Sequence, residues 1–179
     1  MGNPARGEGG VIFDKFRRLT DYERKIIANV RDYGCHITSV ASAIDEEWEP
    51  PFSYSTGFIA TVGQPEVIVF GLDGKLCASM INMLLDMCRD GLMLADGIEI
   101  EDLLDGHRVV AREVTSDRII REHFNSAIWY EKRRTGRMLD RALQLVWPGA
   151  MEGLFPWDEG CSDEVRDFQP ALYERSMIS

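Results

Sequence analysis

Residues Pro51 to Leu72, PFSYSTGFIATVGQPEVIVFGL, decide the fold. Phe52, Tyr54, Thr56 and Phe58 alternate with Ser53, Ser55 and Gly57, the period of two expected of a strand with one packed and one polar face. Val67-Ile68-Val69-Phe70 is an unbroken apolar run, the pattern of a strand covered on both sides. Gly63 and Pro65 punctuate the link between them, and a proline has no N–H to give to a sheet ladder. The stretch therefore predicts an antiparallel pair at the centre of a sheet, joined by a Gly-Pro turn, with a helix starting after Leu72.

Upstream, Thr20-Asp21-Tyr22-Glu23 has the form of a capping box. Ile26, Ile27 and Val30 follow at helical spacing and Gly34 closes the segment, so a helix of about four turns is expected. Cys35 to Val40 reads as a short strand, and the acidic loop Asp45 to Pro51 leads back to the opening stretch. Downstream, Asp73 caps a helix from Lys75 to Arg89 whose broad apolar surface suits a sheet face, with Gly91 ending it. Its methionines fit core filling better than metal binding. Residues 96–106 and His107 to Val114 read as strands, and Ser116 as the cap of a helix that ends near Gly136. Ala142 to Pro148 alternates as a further strand. The remainder is expected to be an ordered loop pinned by Phe155, Trp157 and Phe168.

This order, α-β-β-β-α-β-β-α-β, predicts an α+β fold. The sheet is expected to be mostly antiparallel, open or barrel-like, with helices packed on one face and a long ordered C-terminal loop. One domain over 20–172 is expected, between a leader (1–19) and a tail (173–179).

Composition narrows the function classes. The 179 residues carry a net charge of −10, and residues 35–105 hold 13 acidic against 2 basic side chains. Nucleic-acid binding is disfavoured, because phosphate neutralisation needs a continuous basic surface; residues 132–141 form the one basic candidate patch. No apolar run reaches membrane-spanning length and the start lacks the order of a signal peptide, so a cytoplasmic protein without a membrane anchor is expected. The four cysteines, Cys35, Cys77, Cys88 and Cys161, lie scattered with no C-x-x-C pair, which fits reduced thiols better than disulfides or a metal site.

Catalytic signatures are missing. G-x-S-x-G, H-E-x-x-H, P-loop and G-x-G-x-x-G spacings do not occur, and the acidic 96–106 segment lacks calcium-loop spacing. Neither a catalytic residue nor a cofactor can be named from the residues. Four clusters carry what chemistry there is: the hydroxyls Ser53, Ser55 and Thr56 beside Gly57; His36, with His107 and His123 as partners at a distance in sequence; Cys35; and Gln144-x-x-Trp147-Pro148 with Phe155-Pro156-Trp157-Asp158. Each also has a structural reading, as the polar face of a strand, a hydrogen-bonded histidine, an inert thiol and a staple for the C-terminal loop.

Taken in order, the motifs Gly34-Cys35-His36-Ile37, Pro51 to Gly57, Gln64 to Leu72, Leu143 to Pro148 and Phe155 to Asp158 resemble the bacterial family called domain of unknown function 4262, over roughly residues 22–172. The family carries no assigned reaction. The resemblance implies that His36, Tyr54, Gly57, Glu66, Gln144, Trp147, Trp157 and Asp158 are hallmark residues. With Ser53 and Ser55 they form an expected ligand-binding set in a pocket at one end of the sheet. Two functions stay open: a small-molecule site, and a protein-interaction module, such as an immunity or regulatory protein, whose acidic surface meets a basic partner.

Overall fold

A computed structural model describes residues 17–43 and 47–175. The leader as far as residue 16, Asp45 and Glu46 of the acidic loop, and the tail from 176 lie outside the described residues.

Helix α1 (Asp21–Tyr33) starts at a reciprocal capping box. Thr20 Oγ1 accepts from the Glu23 N–H at 3.1 Å, and the Glu23 carboxylate accepts from the Thr20 N–H at 2.8 Å. Gly34, at φ +92°, ends it by donating its N–H to the Val30 carbonyl. The chain continues through β1 (His36–Val40), β2 (Phe52–Thr56), α2 (Phe58–Val62), β3 (Glu66–Phe70), α3 (Gly74–Arg89), β4 (Glu99–Leu104), β5 (His107–Glu113), α4 (Arg121–Thr135), β6 (Ala142–Val146) and α5 (Asp163–Phe168). Six strands form one sheet in the order β1-β2-β3-β6-β5-β4. The expected pair sits inside it, with Phe52 opposite Phe70 and Tyr54 opposite Ile68. The fold is α+β as expected, but the sheet is mixed and open rather than barrel-like: β3 runs parallel to β6, while every other pairing is antiparallel.

Helices cover both faces, not one. On the first face α3 buries Cys77, Met80, Ile81, Leu84 and Leu85 against Val67, Val69, Leu143 and Leu145. On the second, α4 lays Phe124, Ala127 and Ile128 on Tyr54, Ile68 and Phe70. Strand β2 is consequently buried at all five positions, so Ser53 and Ser55 form no solvated face. Val67 to Phe70, apolar throughout, meets both demands, and its alternate side chains divide between the two cores.

The link inside Pro51–Leu72 is a short helix rather than a turn. Gly57, at φ +112°, turns the chain out of the strand, and Phe58 enters α2 fully buried. A Cβ at Gly57 would stand 2.8 Å from both methyls of Val30. Ser116 lies in a 3-10 turn (Ser116–Arg118) and does not cap α4, which follows Ile120 and is kinked at Phe124. The C-terminal segment is ordered as expected, carries α5, and bridges back from Tyr173 to Val114.

Gly71 couples this segment to the sheet. It lies at φ +77°, and a Cβ there would come within 2.6 Å of the Phe168 carbonyl oxygen and 3.0 Å of the Trp147 ring. Gly71→Ala therefore adds a left-handed backbone penalty of about 1–2 kcal/mol to a contact with backbone. Chemical denaturation should show a loss of at least that size, and unchanged stability would refute the packing of 168 on 71.

Candidate functional site

The expected site residues other than Ser53 separate into three groups held by hydrogen bonds and ring contacts. The first is centred on Glu66, the first residue of β3, which is 3% exposed. Its Oε2 accepts from the Ser55 hydroxyl at 2.5 Å, and its Oε1 accepts from the N–H groups of Gly57 at 2.9 Å and Ile59 at 3.4 Å. Ser55 Oγ in turn accepts from the Val67 N–H at 2.9 Å. One side chain thus supplies the partner that the entry to α2 lacks, since Gly57 offers no capping side chain. Burial pushes the Glu66 carboxyl above the ordinary range, opposed by the donors from Ser55, Gly57, Phe58 and Ile59.

The second group surrounds His36, 5% exposed at the start of β1. The Asn29 side-chain amide donates to His36 Nδ1 at 2.9 Å, which leaves the ring proton on Nε2, facing the Tyr22 hydroxyl at 3.4 Å. Tyr22 Oη also meets Thr38 Oγ1 at 3.2 Å and Ser126 Oγ at 3.0 Å. Tyr54 donates its hydroxyl to Ser126 Oγ at 3.1 Å and accepts the Ser126 N–H at 3.1 Å. The network ties α1, β1, β2 and α4 together. In this tautomer His36 has no free lone pair to take a proton from Tyr22 or Ser126, so the geometry is that of a buttress rather than a general base. Burial, then the Lys25 charge, holds the His36 pKa below the usual value.

The third group anchors the C-terminal segment. Gln144, fully buried on β6, donates Nε2 to the Pro170 carbonyl at 3.1 Å and accepts the Leu172 N–H at 2.9 Å. Gln169 clasps the Trp147 backbone in the same manner, accepting from its N–H at 2.9 Å and donating to its carbonyl at 2.8 Å. The Trp147 indole N–H donates to the Phe70 carbonyl at 2.8 Å. Trp157 stacks on Phe155 with centroids 5.0 Å apart, and Arg112 lies 5.2 Å above Trp157 and 4.7 Å above Tyr173 while its Nε donates to Asp96 at 3.0 Å. Asp158 accepts the Phe155 N–H at 2.8 Å, closing the local turn. Ser53, beside Cys77 on the α3 face, shares a hydrogen bond of 2.8 Å with Ser39.

A cleft borders the third group. It has a volume of about 440 Å³ and is walled by Trp48, Phe52, Phe70, His123 and Pro170, with Glu49 and Asp167 among its lining residues. The Phe52–Phe70 pair places it at the end of β2 and β3 remote from Glu66. His123 stands edge-on to Phe52 at 5.6 Å and to Phe70 at 5.7 Å. Burial depresses its pKa, against the pull of Glu122 and Glu49, so the ring is neutral near pH 7. Its Nδ1 is buried without a hydrogen-bond partner among the described residues, a feature that costs about 1–3 kcal/mol where nothing compensates it. The sequence offered His123 only as a possible partner of His36, whereas the structure sets it in the kinked first turn of α4 against the Phe52–Phe70 pair. Trp48 flanks it from the acidic loop, a position that no sequence periodicity announces.

The thiols are poor nucleophiles. Burial pushes Cys35 up to about 12 and Cys77 and Cys88 to about 11. Among the described residues no set of three or more His, Cys, Asp and Glu side chains is placed to hold a metal ion, and no helix is long and apolar enough to cross a membrane.

Two pH dependences follow. A histidine with a depressed folded pKa makes the folded state bind fewer protons than the unfolded chain, so stability is lost as pH falls through about 6.5. Melting temperature should drop between pH 7.5 and 5.5, and His36→Gln should shrink that drop; an equal drop in the variant would remove His36 as a cause. A carboxyl with a raised folded pKa has the opposite sign: the folded state keeps a proton the unfolded chain releases, so stability falls as pH climbs above about 4.5. Glu66→Gln should cost about 1–3 kcal/mol through mispaired donors. The advantage of the wild type over this variant should narrow from pH 4.5 to 7, and an advantage that widened would show that the donors, not burial, dominate.

In comparison with known proteins, the family model described as Domain of unknown function (DUF4262) aligns with residues 29–162. No curated protein and no solved structure matches the chain.

Proposed function

The chain belongs to the DUF4262 family, and from that premise we propose that it is a binding domain for a small organic molecule, held in the aromatic cleft at the Phe52–Phe70 end of the sheet. The observation that carries this reading is the wall chemistry of that cleft: an indole, two phenyl rings and an imidazole beside two carboxylates. Trp48 is half exposed and offers a ring face to stack on. Glu49 and Asp167 favour a positive charge, and a cation beside aromatic faces gains a further attraction. An aromatic or heteroaromatic amine meets all of these demands.

Two of the hallmark residues act on the cleft through the backbone. Gln144 holds the Pro170 carbonyl and Trp147 holds that of Phe70, and both held residues are walls. Glu66, Ser55, Gly57, His36 and Tyr54 set the relation of β2 to its neighbours and so the position of Phe52. Trp157 and Asp158 fix the loop that leads into α5, from which Asp167 reaches the cleft.

The test is calorimetric titration with tryptamine, after native and denaturing mass spectra have revealed any molecule retained through purification. Trp48→Ala and His123→Ala should each weaken binding about tenfold, roughly 1.4 kcal/mol, with Met151→Ala, at an exposed position that does not line the cleft, as a control that leaves affinity unchanged. Saturable binding that neither cleft variant alters would remove the cleft from consideration.

A further inference from the structure

We propose that a second cleft, at the opposite end of α4, binds the phosphate group of a small organic phosphate. This cleft, of about 480 Å³, is lined by Ile59, Glu131, Arg134, Arg137, Asp140 and Arg141 together with Thr135 and Met138. It lies where Arg141 precedes β6 and where Glu66 pairs with Ala142, the end of the sheet remote from the aromatic cleft. The site stands independently of the reading given for that first cleft.

The charge at this place opposes that of the chain as a whole. Residues 132–141 carry five basic side chains and one acidic one in a protein of net charge −10. Part of this positive charge is explained by the helix itself. Lys132, Arg133 and Arg134 occupy the last turn of α4, where cations offset the partial negative charge of the helix end. Arg134 is further engaged by Glu131, donating from one terminal nitrogen to both carboxylate oxygens at 3.0 Å and from Nε to one of them at 3.2 Å.

Arg137 and Arg141 have no such explanation. Gly136, at φ +75°, ends the helix by donating to the Lys132 carbonyl, so both arginines lie beyond the dipole's last turn. The guanidinium groups of Arg137 and Arg141 make no hydrogen bond or ion pair among the described residues. Two unengaged guanidinium forks at one cleft suit a tetrahedral oxyanion, because each can donate two parallel hydrogen bonds to phosphate oxygens.

The remaining walls define the rest of the ligand. Ile59 and Met138, the latter 56% exposed, give apolar surface for a carbon skeleton. Asp140 stands in the same cleft without an ion pair among the described residues. A bare anion would gain nothing from that carboxylate, whereas a hydroxyl or ammonium group beside the phosphate would donate to it. A phosphomonoester with a neighbouring hydroxyl or amine therefore fits better than free phosphate.

The experiment is titration of the full chain by calorimetry at low ionic strength, with inorganic phosphate, phosphoethanolamine and sulfate as probes. Saturable binding of phosphoethanolamine, tighter than that of phosphate and weakened about tenfold or more in Arg137→Ala/Arg141→Ala, is the expected result. Arg24→Ala/Arg31→Ala, on α1 and outside the cleft, likewise removes two positive charges and should bind as the wild type does. Arg141→Lys retains the charge and loses the planar fork, so it should fall between the wild type and the double variant. No saturable binding, equal binding of sulfate, or an unchanged double variant would each overturn the proposal.

Discussion

The Glu66 carboxyl is the constraint from which most of the architecture follows. A buried acid is tolerated only where donors surround it, and here they come from Ser55 on β2 and from Gly57 and Ile59 at the start of α2. The same contacts let the chain leave β2, make a single short helix and return as β3 without leaving the N–H groups of the bend unpaired. Ser55, which also accepts from Val67, locks the two strands at the end where α2 joins them. The packing of both sheet faces relies on that lock, because the alternate side chains of β3 must fall into different cores.

Polar side chains recur in this protein as substitutes for missing backbone pairing. Gln144 and Gln169 bind backbone groups of 170, 172 and 147, so the C-terminal segment lies against the sheet without forming a strand of its own along most of its length. Each amide offers both a donor and an acceptor, which is what an isolated peptide unit requires. The hydroxyl group around Tyr22, Tyr54 and Ser126 does the same work between helices and sheet. These glutamines, tyrosines and the histidine are types that an apolar core would not select, and their structural tasks account for their presence without a reaction.

Helix α4 relates the two clefts. Its kinked beginning presents His123 beside Phe52 and Phe70, and its end delivers the arginines to the opposite end of the central strands β3 and β6. The two environments differ in sign and polarity, so a molecule suited to one gains little from the other. The acidic 35–105 segment of the chain contributes Glu49 to the first, and the basic 132–141 segment dominates the second.

Much of the backbone was legible because it is written in local chemistry. The capping box at Thr20, the glycine stop at Gly34, the Asp73 cap and the alternation of 142–146 specify elements through neighbours within a few residues. The apolar run 67–70 even announced that β3 is covered on both sides, a demand that helices on one face could not satisfy. What local chemistry did not reveal was the partner across space. The serines of β2 look solvated in sequence, yet α3 covers Ser53 and Glu66 claims Ser55. Gly57 and Phe58 continue the strand pattern until the acid eleven residues beyond Ser55 bends them into a helix. The expected site residues are present where their elements put them, but their distribution into three groups, and the union of Trp48 with His123, depend on contacts far apart in the chain. Sequence by itself determined the elements whose caps and periodicity are local, such as α1, α3 and β6; tertiary structure decided the bend at Gly57, the start of α4 and which polar groups meet, because these are set by long-range packing and leave no periodic trace.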